Sequence, residues 1–141
     1  MKKTLSVAAA GIVLAALPLL SACAGSPGDP LASARELADA PGWVSTPTGT
    51  DCGSVELGQK RTLPKKNLKC LMDASRAGDV GMLTWIQRTT EGDPVPSYVI
   101  TAGSGATVAS TAAYDTYGQG GWTEYECTDI AALPNCSDGS Q

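Results

Sequence analysis

Hydrophobic and polar residues alternate along this chain in patterns that change four times. Thr4 to Leu20 is almost wholly apolar and carries no charge. Further on, Leu31, Ala34 and Leu37 or Ala38 recur on one helical face, with Glu36 and Asp39 opposite, which predicts a short helix over 31–40. Pro41 and Gly42 stop it, and Trp43 and Val44 are then placed to dock on a domain. Val55 and Leu57 alternate with Ser54 and Glu56, the period of a short strand. Thr62-Leu63-Pro64 reads as a helix start, with the proline in the first turn. Leu68, Leu71 and Met72 follow at helical spacing, and Gly78 is a natural C-terminal stop.

After that helix the texture becomes that of a sheet. Val80 to Thr90 is rich in strand formers and ends at the turn Glu91-Gly92-Asp93-Pro94. Tyr98 to Thr101 is a second strand, Gly103-Ser104-Gly105 a hairpin connection, and Thr107 to Tyr114 a third strand. A glycine-rich turn, Asp115 to Gly121, leads into a fourth over Trp122 to Ile130, and the tail from Leu133 is loop. The fold class expected is α+β: one main helix packed on an antiparallel meander of about four strands, with room for a fifth, short strand leading it.

The start of the chain has a different logic. Lys2 and Lys3, then the apolar run, then small residues at Ser21 and Ala22 form the layout of a secretory signal. The run is shorter than the roughly 20 residues a bilayer span needs, and Gly11 and Pro18 interrupt it. Leu20-Ser21-Ala22-Cys23 resembles a lipobox, the recognition site of the lipoprotein signal peptidase. The resemblance implies cleavage before Cys23 and a diacylglyceryl thioether on its sulfur. Lipidation with two or more chains anchors stably where one alone is marginal. The expected organisation is a signal peptide over 1–22, a lipidated tether with a short helix over 23–50, and a small domain over 51–141.

Cleavage changes the charge. The 141-residue chain has 10 basic and 14 acidic residues; the leader holds two of the lysines and no acid, so the remainder carries eight against 14, a net −6. Such a body is a poor nucleic-acid partner, because neutralising phosphates takes clustered Lys and Arg. It has no bulk attraction to anionic lipid either, so membrane attachment falls to the anchor.

Four cysteines remain beyond Cys23: Cys52, Cys70, Cys127 and Cys136. An even number in a small exported chain reads as two disulfides. The short paired spacings of a zinc site are missing, and no cofactor is expected. The pairing expected is Cys52–Cys70 and Cys127–Cys136. The first would clip the helix to the strand just before it, since Cys70 lies at the edge of the apolar face. The second would pin the end of the last strand, where Cys127 shares a face with Tyr125.

Histidine is absent from the chain, which removes Ser-His and Cys-His hydrolases and the usual catalytic zinc sites. Carboxylates remain. Glu124 and Glu126 point to one side of the last strand, with Trp122 beside them, and two carboxylates can hydrolyse a glycosidic bond. The plainer reading is a solvated face of an edge strand. Lys60, Arg61, Lys65, Lys66 and Lys69 form the strongest charge cluster, able to meet lipid headgroups or an acidic envelope polymer. The plainer reading there is a wet helix face.

Beyond its lipobox the chain resembles small actinobacterial lipoproteins of unassigned function, through Asp51-Cys52-Gly53, Cys70-Leu71-Met72-Asp73-Ala74, Glu91-Gly92-Asp93-Pro94 and the late cysteine pair. The resemblance implies no catalytic residue. The function expected is a non-enzymatic, membrane-anchored binding or interaction domain on the extracytoplasmic face. Its partners are the membrane, through the lipid, and an envelope protein or polymer. The alternative is an inhibitor of an extracellular hydrolase, with Glu91 to Pro96 as its loop. A carboxylate-only glycosidase is a third reading.

Overall fold

The computed structural model describes residues 28–136; the leader and Cys23 lie outside them. Two short helices, α1 (Pro30–Arg35) and α2 (Gly42–Ser45), precede strand β1 (Thr50–Glu56). The main helix α3 (Lys65–Ala77) follows, and then strands β2 (Gly81–Arg88), β3 (Pro94–Ala102), β4 (Gly105–Thr111) and β5 (Trp122–Cys127), closed by a 3-10 turn at Ile130–Ala132. The strands form one sheet in the order β1-β2-β3-β4-β5. The architecture is the expected α+β, with a main helix on a mostly antiparallel sheet.

The strand count is five where a meander of about four was expected. The leading segment is a full member of the sheet, and it pairs with β2 in parallel, with Val55 opposite Trp85. The reason is topological. Helix α3 carries the chain back to the end from which β1 started, so β2 must run in the same direction. The antiparallel meander proper is β2 to β5.

One irregularity in β1 sets which side chains face α3. Three steps along β1, from Asp51 to Ser54, are matched by two along β2, from Met82 to Thr84. Gly53 sits in this bulge with φ 98°, a conformation that a side chain would strain. The extra residue changes the parity of the strand. Cys52 before the bulge and Leu57 beyond it therefore both enter the same core.

That core lies between α3 and the sheet. Leu71 from the helix meets Leu83, Trp85, Val99 and Val108 from three strands, and Leu63, Ile130 and Leu133 close its ends. Helix α3 starts after Pro64, which occupies the cap position itself, one residue earlier than a first-turn proline. It ends at Gly78 in the left-handed conformation.

The opposite face of the sheet has a second core. Leu31 and Ala34 of α1 and Val44 of α2 are buried against Ile86, Tyr98 and Ala109. The short helix expected over 31–40 ends at Arg35, and it is packed on the sheet with the Trp43–Val44 segment. Asp29 caps it by accepting the Leu31 N–H at 3.0 Å. The sheet is thus covered on both faces, and the packed body reaches back to Pro30. Among the described residues no helix is long and apolar enough to cross a membrane.

Candidate functional site

The four body cysteines are paired as expected. Cys52–Cys70 and Cys127–Cys136 have Cα separations of 5.6 and 5.5 Å. Each ties a sheet edge down: the first holds β1 to α3, and the second holds the end of β5 to the tail. None of the four is left as a thiol nucleophile. Among the described residues no group of three or more His, Cys, Asp or Glu side chains is placed to hold a metal ion.

The paired carboxylates lie on β5, the edge strand next to β4. Glu124 accepts a hydrogen bond from the Trp43 indole at 3.0 Å, and Glu126 accepts one from the Thr107 hydroxyl at 2.9 Å. Trp122 is turned to the same face and packs on Tyr98, with ring centroids 5.8 Å apart. Tyr98 is buried there. Its hydroxyl donates to the Leu31 carbonyl at 2.6 Å, and the Arg35 guanidinium lies 5.4 Å from its ring centre. Burial pushes the phenol up to about 12, against the pull of the Arg35 charge.

The basic cluster is divided by the fold. Lys65, Lys66 and Lys69 are exposed on α3, and Lys69 and Arg76 both pair with Asp73. The hydrogen bond from Lys69 holds the Asp73 carboxyl below its ordinary range. Lys60 and Arg61 lie before the helix, in a turn closed by the Arg61 N–H on the Gly58 carbonyl at 3.0 Å.

Two residues of the cluster line cavities, Lys66 at the start of α3 and Arg61 in the turn before it, and Arg61 shares its cavity with a second arginine. A cleft of about 590 Å³ opens between this turn and the loop after β2, lined among others by Gln59, Arg61, Gln87, Arg88 and Thr90. Arg61 is the only non-glycine among the described residues with positive φ, at 46°. The side-chain amide of Asn135 donates to its carbonyl at 3.1 Å. The Gln87 amide, oriented so that both groups are satisfied, accepts from its Nη2 at 3.0 Å and its Nε at 3.2 Å. Arg88 donates to Glu56 at 2.6 Å and to the Gly92 carbonyl at 3.0 Å. Two guanidinium forks thus line one cleft, each oriented by neighbours before any ligand arrives.

The loop at the rim of this cleft contains the expected Glu91–Pro96 segment. Only its tip, Glu91 and Gly92, is exposed; Pro94 to Pro96 belong to β3, and Pro96 is buried. The tip is tight. The Thr89 N–H reaches the Asp93 carbonyl at 2.9 Å, and the Asp93 carboxylate accepts the Thr116 N–H at 2.8 Å. That backbone donor holds the Asp93 carboxyl below its ordinary range.

A second cavity, about 620 Å³, runs along the free edge of β1 to the start of α3, past Asp51, Glu56, Lys66 and Asn67. Asn67 is 7% exposed. Its Nδ2 donates to the Cys52 carbonyl at 2.7 Å, holding the bulge. The sequence does not single this residue out, because the apolar face reads on Leu68, Leu71 and Met72; the signal that could have found it is its helical spacing from Leu71 and Ala74, which the structure buries. Gln87 and Arg88 carried no such signal, because they close an ordinary strand.

Compared with protein-family models, with curated proteins and with solved structures, the chain has no match.

Proposed function

We propose that this protein is a lipid-anchored, extracytoplasmic binding domain with no catalytic role of its own. The observation that carries the reading is the oxidised pairing of Cys52, Cys70, Cys127 and Cys136. Disulfides persist in oxidising compartments, which is where a leader cleaved within Leu20-Ser21-Ala22-Cys23, before Cys23, would deliver the chain. The pairing also takes thiol chemistry out of the body. The remaining polar equipment, forks and amides fixed at the margins of two surface cavities, suits recognition of a ligand. The net acidic charge of the body leaves the membrane contact to the lipid, with an envelope protein or polymer as the ligand.

The test uses the full chain and its Cys23→Ala variant, expressed with a labelled fatty acid. The full chain should carry the label, sediment with membranes and be digested by protease added to cells stripped to their plasma membrane. The variant should lose the label and leave the membrane fraction. Label retained on the variant, or protection of the full chain inside the cytoplasm, would overturn the anchoring. Retention of no envelope component by the full chain in detergent would overturn the binding role.

A further inference from the structure

The two arginines in the 590 Å³ cleft point to a specific ligand chemistry. A guanidinium presents its N–H groups as a planar fork that matches a carboxylate in two parallel hydrogen bonds. Arg61 has its Nε and one Nη2 hydrogen engaged by the neutral Gln87 amide, so the fork left for a carboxylate is the end-on Nη1/Nη2 pair. Its positive charge is therefore oriented but not cancelled. Arg88 is partly neutralised by Glu56. The cleft thus offers about one net positive charge, surrounded by uncharged hydrogen-bonding groups at Gln59, Thr89 and Thr90.

The backbone adds an independent sign. Arg61 is held at φ 46°, where non-glycine residues are disfavoured, by the Gly58 carbonyl on one side and the Asn135 amide on the other. Strain kept in place by surrounding hydrogen bonds collects at sites where position matters more than stability. A glycine at 61 would fit the turn without strain, but it would remove the guanidinium from the cleft.

Resting on the binding role above, we propose that this cleft binds a carboxylated sugar of an envelope polymer, with Arg61 gripping the carboxylate and Arg88 beside it. The amide of Gln59 and the hydroxyls of Thr89 and Thr90 take the sugar hydroxyls. The net single charge and the fork geometry favour a planar carboxylate over a dianionic phosphate. The volume is that of a small-molecule site, enough for one or two sugar rings. The exposed lysines of α3 contribute only diffuse attraction.

Calorimetric titration of the full chain in neutral detergent at low salt tests this, with tetragalacturonate as the probe and its uncharged galactose counterpart and inorganic phosphate as comparisons. Tetragalacturonate should bind, more weakly as salt rises, and should exceed both comparisons by about tenfold or more. Arg61→Gln should weaken it about tenfold, and Arg61→Lys should recover part of the loss. Thr90→Asp, at an exposed position, should weaken binding at least as much by placing a like charge in the cleft. Replacing Lys65, Lys66 and Lys69 with Gln should change it no more than about twofold. Equal binding of phosphate or of the uncharged sugar would overturn the proposal, as would binding indifferent to both Arg61→Gln and Thr90→Asp. If tetragalacturonate does not bind while the full chain still retains another envelope component, the cleft proposal falls and the binding role stands. If it retains nothing, both fall.

Discussion

The Tyr98 hydroxyl donates to the Leu31 carbonyl at 2.6 Å, joining the middle of the sheet to a helix 67 residues earlier in the chain. This bond makes the N-terminal helices part of the folded body. Tyr98→Phe keeps the ring that packs on Trp122 and strands the Leu31 carbonyl in a buried place, so it should cost about 1–2 kcal/mol. The same change should alter the alkaline limb of stability. The phenol is raised from 10 to about 12 in the folded state. Above pH 10 the unfolded chain releases this proton first, so stability is full below pH 10 and declines as pH rises toward 12. Urea unfolding at several pH values checks both effects. If Tyr98→Phe shows the same alkaline decline as the parent, the decline belongs to other groups.

Arg61→Gly should leave the protein as stable as the parent or stabilise it by up to about 1 kcal/mol. Relief of the left-handed conformation, worth about 1–2 kcal/mol, is offset by the greater freedom of glycine in the unfolded chain and the loss of the Gln87 contacts. Arg61→Val should instead destabilise by about 1 kcal/mol or more, because a β-branched side chain tolerates positive φ least. Chemical denaturation of the three proteins decides it. A Val variant as stable as the parent would mean that residue 61 is not held at positive φ in solution. The trade expected of a functional position, stability gained as ligand affinity falls, then becomes visible in one substitution.

Peptide mapping without reduction should yield fragments joining Cys52 to Cys70 and Cys127 to Cys136. The chain-entropy model assigns about 3 kcal/mol to closing loops of these sizes, with sequence separations of 18 and 9. The double variant Cys52→Ala/Cys70→Ala should lose about that much. It also frees the β1 edge at the bulge that Asn67 holds, so hydrogen exchange should rise first along Asp51 to Glu56. A fragment joining Cys70 to Cys127 would contradict both pairings.

Much of the fold was legible because its signals are local. Leu68, Leu71 and Met72 mark the helix; Gly78 ends it; Gly103-Ser104-Gly105 turns one strand into the next. The disulfide pairing followed from sequence neighbourhood for the same reason. What escaped depends on partners far away. Strand β3 starts at Pro94, four residues before the expected Tyr98, because prolines argue against a paired strand. They are tolerated because pairing with β4 begins only at Ser97, so nothing on that side asks Pro94 or Pro96 for an N–H. The parallel direction of β1 and the docking of α1 on the second face are likewise set by tertiary packing. In the site, Arg61 was visible as one charge among five, but its backbone strain and its Gln87 and Asn135 partners come from segments 26 and 74 residues away.

Glu124 separates a structural carboxylate from a catalytic one. It accepts the Trp43 indole N–H at 3.0 Å, and both residues keep some exposure. If its work is to hold α2 against the sheet, an amide serves nearly as well. Glu124→Gln keeps a carbonyl oxygen for Trp43 and should change stability by no more than about 0.5 kcal/mol. Glu124→Leu removes the acceptor and should cost about 1 kcal/mol, with a shift in tryptophan emission as Trp43 meets solvent differently. Glycoside hydrolysis depends on the carboxylate itself, either as nucleophile or as proton carrier, so Gln would abolish it while leaving the fold intact. The two roles therefore predict opposite results for one substitution. Assay of the parent and the Gln variant on a panel of chromogenic glycosides, alongside their unfolding curves, reads both at once. Activity in the parent that vanishes in a fully folded Gln variant would make Glu124 a catalyst and overturn the binding-domain reading. Matching unfolding curves with no turnover by either protein would leave Glu124 as the acceptor that fixes Trp43, with the recognition chemistry at the Arg61 cleft.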